Sequence, residues 1–175
     1  MASVDVKSLE GVCEQAKRAS VVLRGLTAAR KNEILHEMAD ALVRRTDEIL
    51  RESALDVIDA KAEHRPGALV DRLMLDEDRI MAMARGIRDV AALPDPVGEI
   101  DEGKRLPNGL EVIKKRVPLG VVAVIYEGRP NVTSDAAALC LKSGNAAILR
   151  GSSVARRSNG MIIDVLMRAL GEANA

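Results

Sequence analysis

The 175-residue sequence predicts an α/β protein: an amphipathic helical layer, a β-hairpin and a βαβα unit of parallel sheet, over residues 1–93, 94–117 and 118–175. Three observations carry this reading. Apolar residues recur at helical spacing as far as Leu93, where Pro94-Asp95-Pro96 ends the pattern. Asn108-Gly109 marks a tight turn joining Glu99–Leu106 to Leu110–Val117. From Gly120 onward, short apolar runs alternate with helical stretches through short loops, an order that gives right-handed parallel pairing.

Taken in order, Thr27 is placed to cap a helix whose apolar face is Ile34, Leu35, Met38, Leu42 and Val43. Thr46 is expected to cap the next, carrying Ile49, Leu50, Val57 and Ile58 until Pro66-Gly67 breaks it. Asp76 precedes a third stripe of Ile80, Met83, Ala84, Ile87, Val90 and Ala91. In the hairpin, Lys114-Lys115-Arg116 reads as a solvated strand face rather than an anion site. Gly120–Ile125 is a continuous β-branched run of the kind buried on both faces of a parallel sheet. Asn131 or Thr133 is expected to cap a helix reaching about Lys142, which Gly144-Asn145 ends. Ala146–Leu149 is a second short buried strand, and Gly151-Ser152-Ser153 turns into a helix carrying Ile162, Ile163, Val165, Leu166 and Leu170.

Composition narrows the function classes. Apolar residues make up 47% of the chain but aromatics only 1%, a single Tyr, so the core is built from Ala, Val, Leu, Ile and seven Met. With 26 basic residues balancing 26 acidic ones and no base-stacking surface, neither a nucleic-acid nor a polybasic membrane role is supported. The N-terminus lacks a signal-peptide apolar core, and the longest apolar run, Leu119–Tyr126, is far short of the ~20 residues of a membrane span. A cytoplasmic location is the expectation. Cys13 and Cys140 are too few for a disulfide framework and, with His36 and His64, show no metal-binding spacing. Both thiols read as structural, and both histidines, lacking a partner at catalytic spacing, as incidental.

Ligands of an open parallel sheet bind beyond the carboxyl ends of its strands, which two loops leave here. In Arg150-Gly151-Ser152-Ser153, backbone N–H groups near a helix N-terminus favour an anion and Arg150 adds a fixed positive charge for a phosphate or ribose. The same Gly-Ser turn is equally compatible with a plain helix cap. In Tyr126-Glu127-Gly128-Arg129-Pro130-Asn131, the Asn131 amide is a candidate donor to a developing oxyanion and Arg129 a bidentate partner for a carboxylate or phosphate. The residues alone leave open that Asn131 caps the following helix and that Arg129 pairs with Glu127 or Asp135.

The segments DRLMLDEDRI, LPDPVGEI, RVPLGVVAVIYEGRPNVTSDAA and LCLKSGNAAILRGSS resemble, in order, consecutive signature blocks of the γ-glutamyl phosphate reductases, or glutamate-5-semialdehyde dehydrogenases, of the aldehyde dehydrogenase superfamily. The resemblance extends to about Gly171. A chain of that family is more than twice as long, so the resemblance implies an N-terminal part: the opening helices, the hairpin and the truncated first half of a Rossmann-like, aldehyde dehydrogenase-like sheet. It further implies reduction of L-glutamyl 5-phosphate to L-glutamate 5-semialdehyde with NADPH, in proline biosynthesis. The parent is expected to be a homo-oligomer, and its cysteine nucleophile lies in a Thr-Cys-Asn-type motif with no counterpart here.

Onto this sequence the resemblance places Arg150 beside the cofactor's adenosine ribose, with Gly151 and Ser152 in the cofactor-facing turn. Asn131 resembles an oxyanion-hole asparagine, and Arg129 becomes a substrate or phosphate contact. Two positions depart from the common wording: Gly128 stands where the family has Ala, and Ser152 where it usually has Gly. The chain alone is expected to be inactive. A half of a split enzyme and a non-catalytic nucleotide-binding or subunit-interaction module are the alternative readings.

Overall fold

The computed structural model describes residues 6–173, with side chains from Leu9. Five helices come first: α1 (Val6–Leu23), α2 (Ala28–Arg44), α3 (Thr46–Ala62), α4 (Gly67–Leu73) and α5 (Glu77–Ala92). A hairpin of β1 (Ile100–Arg105) and β2 (Glu111–Lys115) follows, then β3 (Val121–Ile125), α6 (Asn131–Lys142), β4 (Ala146–Arg150), a 3₁₀ turn (Ser153–Ala155) and α7 (Arg156–Glu172).

The expected apolar stripes fold onto one another. Ile34, Leu35, Met38 and Leu42 of α2 share one core with Ile80 and Ile87 of α5, Leu141 of α6, and Ile162, Val165 and Leu166 of α7. Two helix starts form as read. Thr27 and Asp76 each accept from a backbone N–H three residues on, that of Arg30 and that of Arg79. The C-terminus of α6 is a Schellman stop: Gly144, at φ 74°, donates to Leu141 and Asn145 to Cys140.

Other caps differ from expectation. Thr46 does not cap α3; its hydroxyl donates back to the carbonyls of Leu42 and Val43, because α2 and α3 meet without a loop. Pro66-Gly67 does not end α3, which stops at Ala62 through a left-handed His64 at φ 53°, with the Arg65 N–H donating to the Ala60 carbonyl. It opens α4, whose Leu73 is buried against Val57 and Ala60, while Ile58 faces solvent. Neither Asn131 nor Thr133 caps α6. Pro130 holds the cap position, so the Asn131 side chain is free to bond Asp135 and that of Thr133 to bond Tyr126 and Asn159.

The hairpin is antiparallel and closes, as the strand bounds imply, through a three-residue loop. Gly109 at φ 86° donates to Leu106, and Leu106 donates to Leu110. As expected, the basic run is solvated, with Arg116 pairing to Glu99 and Asp101. The second sheet is parallel, running in register from Val121↔Ala146 to Ile125↔Arg150, and the Asn145 side-chain oxygen accepts from the Gly120 N–H to fix its start. The expectation that β3 is buried on both faces fails: Val121, Ala123 and Ile125 face solvent while Val122 and Val124 are half-buried. Among the described residues β3 pairs only with β4, so a run suited to a two-sided core has one side covered.

Candidate functional site

The in-register pairing of β3 with β4 brings the two candidate loops together. Ile125 lies opposite Arg150, and the Tyr126 N–H donates to the Arg150 carbonyl at 3.1 Å, so both loops leave the same sheet edge. Between them lies a cleft of about 690 Å³ whose walls include Tyr126, Arg129, Arg150, Gly151 and Ser152. Arg65 and Arg72, from the α3–α4 region, close its far side.

A chain of hydrogen bonds sets the floor. Tyr126 donates to Thr133 Oγ1 at 2.6 Å, and Thr133 donates to Asn159 Oδ1 at 3.0 Å, linking the β3 end to α6 and α7. Gly151 packs directly on this chain. A Cβ there would stand 2.2 Å from Asn159 Nδ2 and 3.0 Å from the Tyr126 ring, which is why the turn carries glycine.

A second cleft of about 370 Å³ lies alongside and contains Asn131, Asp135, Arg79 and Met83. Arg72 and Arg129 line both clefts and form the ridge between them. The structure thus gathers Arg129, Arg150, Gly151 and Ser152 in one cleft and sets Asn131 in the other. The Asn131 amide donates to Asp135 Oδ2 at 3.1 Å. Burial pushes the Asp135 carboxyl above its ordinary value, against the hydrogen bonds from Asn131 and Ser134.

The helix that follows the Gly-Ser turn has its own internal anion. Asp56 of α3, buried, accepts from the Arg157 and Ser158 N–H groups at 3.3 and 2.8 Å and from the Ser158 hydroxyl at 2.7 Å. The first turn of α7 is thereby capped from another helix. The N–H groups left to face a ligand are those of the turn itself. Ser152 bonds weakly to the Val154 N–H, and the Arg150 guanidinium bends back to the Gly151 carbonyl. Neither Asp56 nor Arg72 was apparent from sequence: an Asp within a helix and an Arg in a short segment have no periodic signature.

Cys140 is buried on α6, where burial raises its thiol above the ordinary value, and Cys13 lies exposed on α1. His36 and His64 are exposed. Among the described residues no group of His, Cys, Asp and Glu could hold a metal ion, and no helix is long and apolar enough to cross a membrane.

A helical layer on a parallel β-α-β-α unit, with its cleft at the strand ends, is the arrangement of an aldehyde dehydrogenase-like fold. Residues 1–174 match the Aldehyde dehydrogenase family, and the chain belongs to that family. Within it, the chain is similar to γ-glutamyl phosphate reductases, as its signature blocks imply. It is 51% identical to that of Leptospira interrogans over 166 residues, covering 95% of this chain and 40% of the relative. The crystal structure of the Thermotoga maritima γ-glutamyl phosphate reductase superimposes with a TM-score of 0.88 at 40% identity, over 91% of this chain and 38% of that one. That of Saccharomyces cerevisiae also gives 0.88, at 31% identity over 93% of this chain and 41% of that one. The chain spans about two fifths of the length of these relatives.

Proposed function

We propose that this chain supplies the N-terminal, ligand-facing part of a γ-glutamyl phosphate reductase, an oxidoreductase that reduces L-glutamyl 5-phosphate to L-glutamate 5-semialdehyde with NADPH. The observation that carries the reading is the register of β3 on β4, which brings the Tyr126–Asn131 and Arg150–Ser153 loops to one edge of a sheet. The 51% identity to a reductase of that name over 95% of the chain supports it.

Arg150 and the Gly151-Ser152 turn fit the adenosine end of a dinucleotide: a cationic side chain, backbone N–H groups and a floor with no Cβ, at the mouth of a cleft. When bound, the nicotinamide supplies the hydride. The preference for NADPH over NADH belongs to this proposal, as do a cytoplasmic location and a homo-oligomeric parent. Asn131 is the donor to the substrate's carbonyl oxygen, exchanging its bond to Asp135 for one to the developing oxyanion. Arg129 pairs with the phosphate. Neither thiol serves as nucleophile: Cys140 is buried with its thiol held protonated, and Cys13 lines neither cleft. The residues present bind and orient, and turnover requires a thiolate from the remainder of such an enzyme.

The test is a titration of the chain with NADPH, followed by the fluorescence of the dihydronicotinamide. Saturable binding, weakened about tenfold or more by Arg150→Ala, is expected for loss of a charge-assisted contact. Binding that ignores Arg150→Ala would remove the cofactor from this cleft.

A further inference from the structure

We propose that Arg72 and Arg129 together form a seat for a terminal phosphate dianion on the ridge between the two clefts. Assigning that phosphate to the substrate rests on the reading above. Arg72 stands on α4 and Arg129 on the loop after β3, and both side chains line both clefts. Among the described residues neither guanidinium has a carboxylate within ion-pair distance. Of the three acids that line the clefts, Asp71 and Asp135 are engaged elsewhere, and Glu127 forms an ion pair with neither arginine. Asp71, the neighbour of Arg72, is taken by Arg79, which bonds its carboxylate at 3.1 Å and its carbonyl at 2.5 Å and also holds the Met74 carbonyl at 2.6 Å. Asp135 accepts from Asn131, and burial disfavours its charged form.

Two uncommitted guanidinia on one ridge repel each other, and a dianion bridging them relieves that repulsion with parallel N–H···O bonds. The position matches the chemistry. A phosphate held on the ridge leaves the attached acyl group in the cleft of Asn131, with the Arg150–Gly151–Ser152 turn in the neighbouring cleft. Anchoring of α4 by Arg79 and by the buried Leu73 fixes the helix from which Arg72 reaches out.

A terminal phosphate could come from the substrate or from the cofactor's 2′-phosphate, so two probes are titrated calorimetrically into the full chain at constant ionic strength: inorganic phosphate and adenosine 2′-monophosphate. Inorganic phosphate is expected to bind saturably, about tenfold or more weakly to Arg72→Met, with partial recovery in Arg72→Lys, which keeps the charge but not the fork. Adenosine 2′-monophosphate is expected to depend on Arg150 and not on Arg72. Weakening of both probes in Arg72→Met keeps the dianion seat and assigns it to the cofactor. No phosphate binding, or equal binding of inorganic phosphate by wild type and Arg72→Met, overturns the proposal, whatever the outcome with NADPH. Because the Arg72 side chain is exposed and makes no hydrogen bond among the described residues, unchanged circular dichroism separates lost binding from lost folding.

Discussion

The ammonium of Lys31 on α2 donates to the backbone carbonyl of Lys142, the last residue of α6, at 3.2 Å, and both lysines are buried. Lys31 also pairs with Asp95 at 2.5 Å, while Lys142 reaches the Asn32 side chain at 2.6 Å and the Ala91 carbonyl at 2.7 Å. Two charged residues thus tie the helical layer to the helix that begins at Asn131. Burial, with the charge of Lys31, pushes the Lys142 ammonium below its usual range, against the pull of Asp95.

Removing this tie should destabilise the whole core. Lys142→Met keeps the length and apolar stem but leaves the Ala91 carbonyl and the Asn32 side chain without that donor, at a cost of about 2–4 kcal/mol. Urea denaturation of the two proteins measures it, and a difference near zero would show that water replaces the ammonium.

Asp56→Ala removes the carboxylate that caps α7 from α3, together with its bond to the Ser158 hydroxyl. A loss of about 2–4 kcal/mol is expected, against about 1 kcal/mol for Ser158→Ala, which deletes only the hydroxyl. Thermal melts of the two variants rank them.

Asp135 gives a pH dependence of known sign. Its folded-state value is raised by burial, so between its ordinary value and the raised one the folded state holds more protons, and its contribution to stability falls as pH rises. At neutral pH the residue is therefore a net penalty. Asp135→Asn should melt higher than wild type at neutral pH, and the gap should close well below the ordinary aspartate value. Asp95 runs the other way. Burial pushes it up, but bonds from Lys31 and the Val97 N–H outweigh that and hold it low, so its contribution is lost as pH falls through the folded value.

Gly151→Ala puts a methyl where Asn159 and the Tyr126 ring now meet. Asn159 can turn away only by giving up its bond from Thr133, so a cost of about 1–3 kcal/mol and weaker NADPH binding are expected together. Weaker binding at unchanged stability would mean that the methyl meets the cofactor rather than the floor.

Leu119, Ile125 and Val117 are 86%, 83% and 72% exposed beside the open β3 strand. Apolar exposure of this extent, on a sheet with free edges, predicts concentration-dependent self-association in light scattering, reduced by Leu119→Lys with Ile125→Lys. A monomer at all concentrations would show that the patch is inert.

The helix stripes of α2, α5 and α7, the Thr27 and Asp76 caps, the Gly144 stop and the parallel β3–β4 pair were all legible in the sequence. Each depends on residues a few positions apart, where period and cap chemistry act directly. The two loops of the candidate site were legible for the same reason, as polar turns following apolar runs.

The order of elements, the apolar face of each helix and the resemblance that places the chain in its family all follow from local pattern. Folding is what covers β3 on one side, starts α6 at Pro130 rather than at Asn131 or Thr133, caps α7 with Asp56, and joins Arg72 to Arg129 on the ridge. Those outcomes hang on contacts between residues as far apart as Asp56 and Ser158 or Lys31 and Lys142, and the chain between such partners carries no trace of their pairing. A buried charge is stable only where folding delivers its partner, so its place is fixed by three-dimensional packing and not by local pattern.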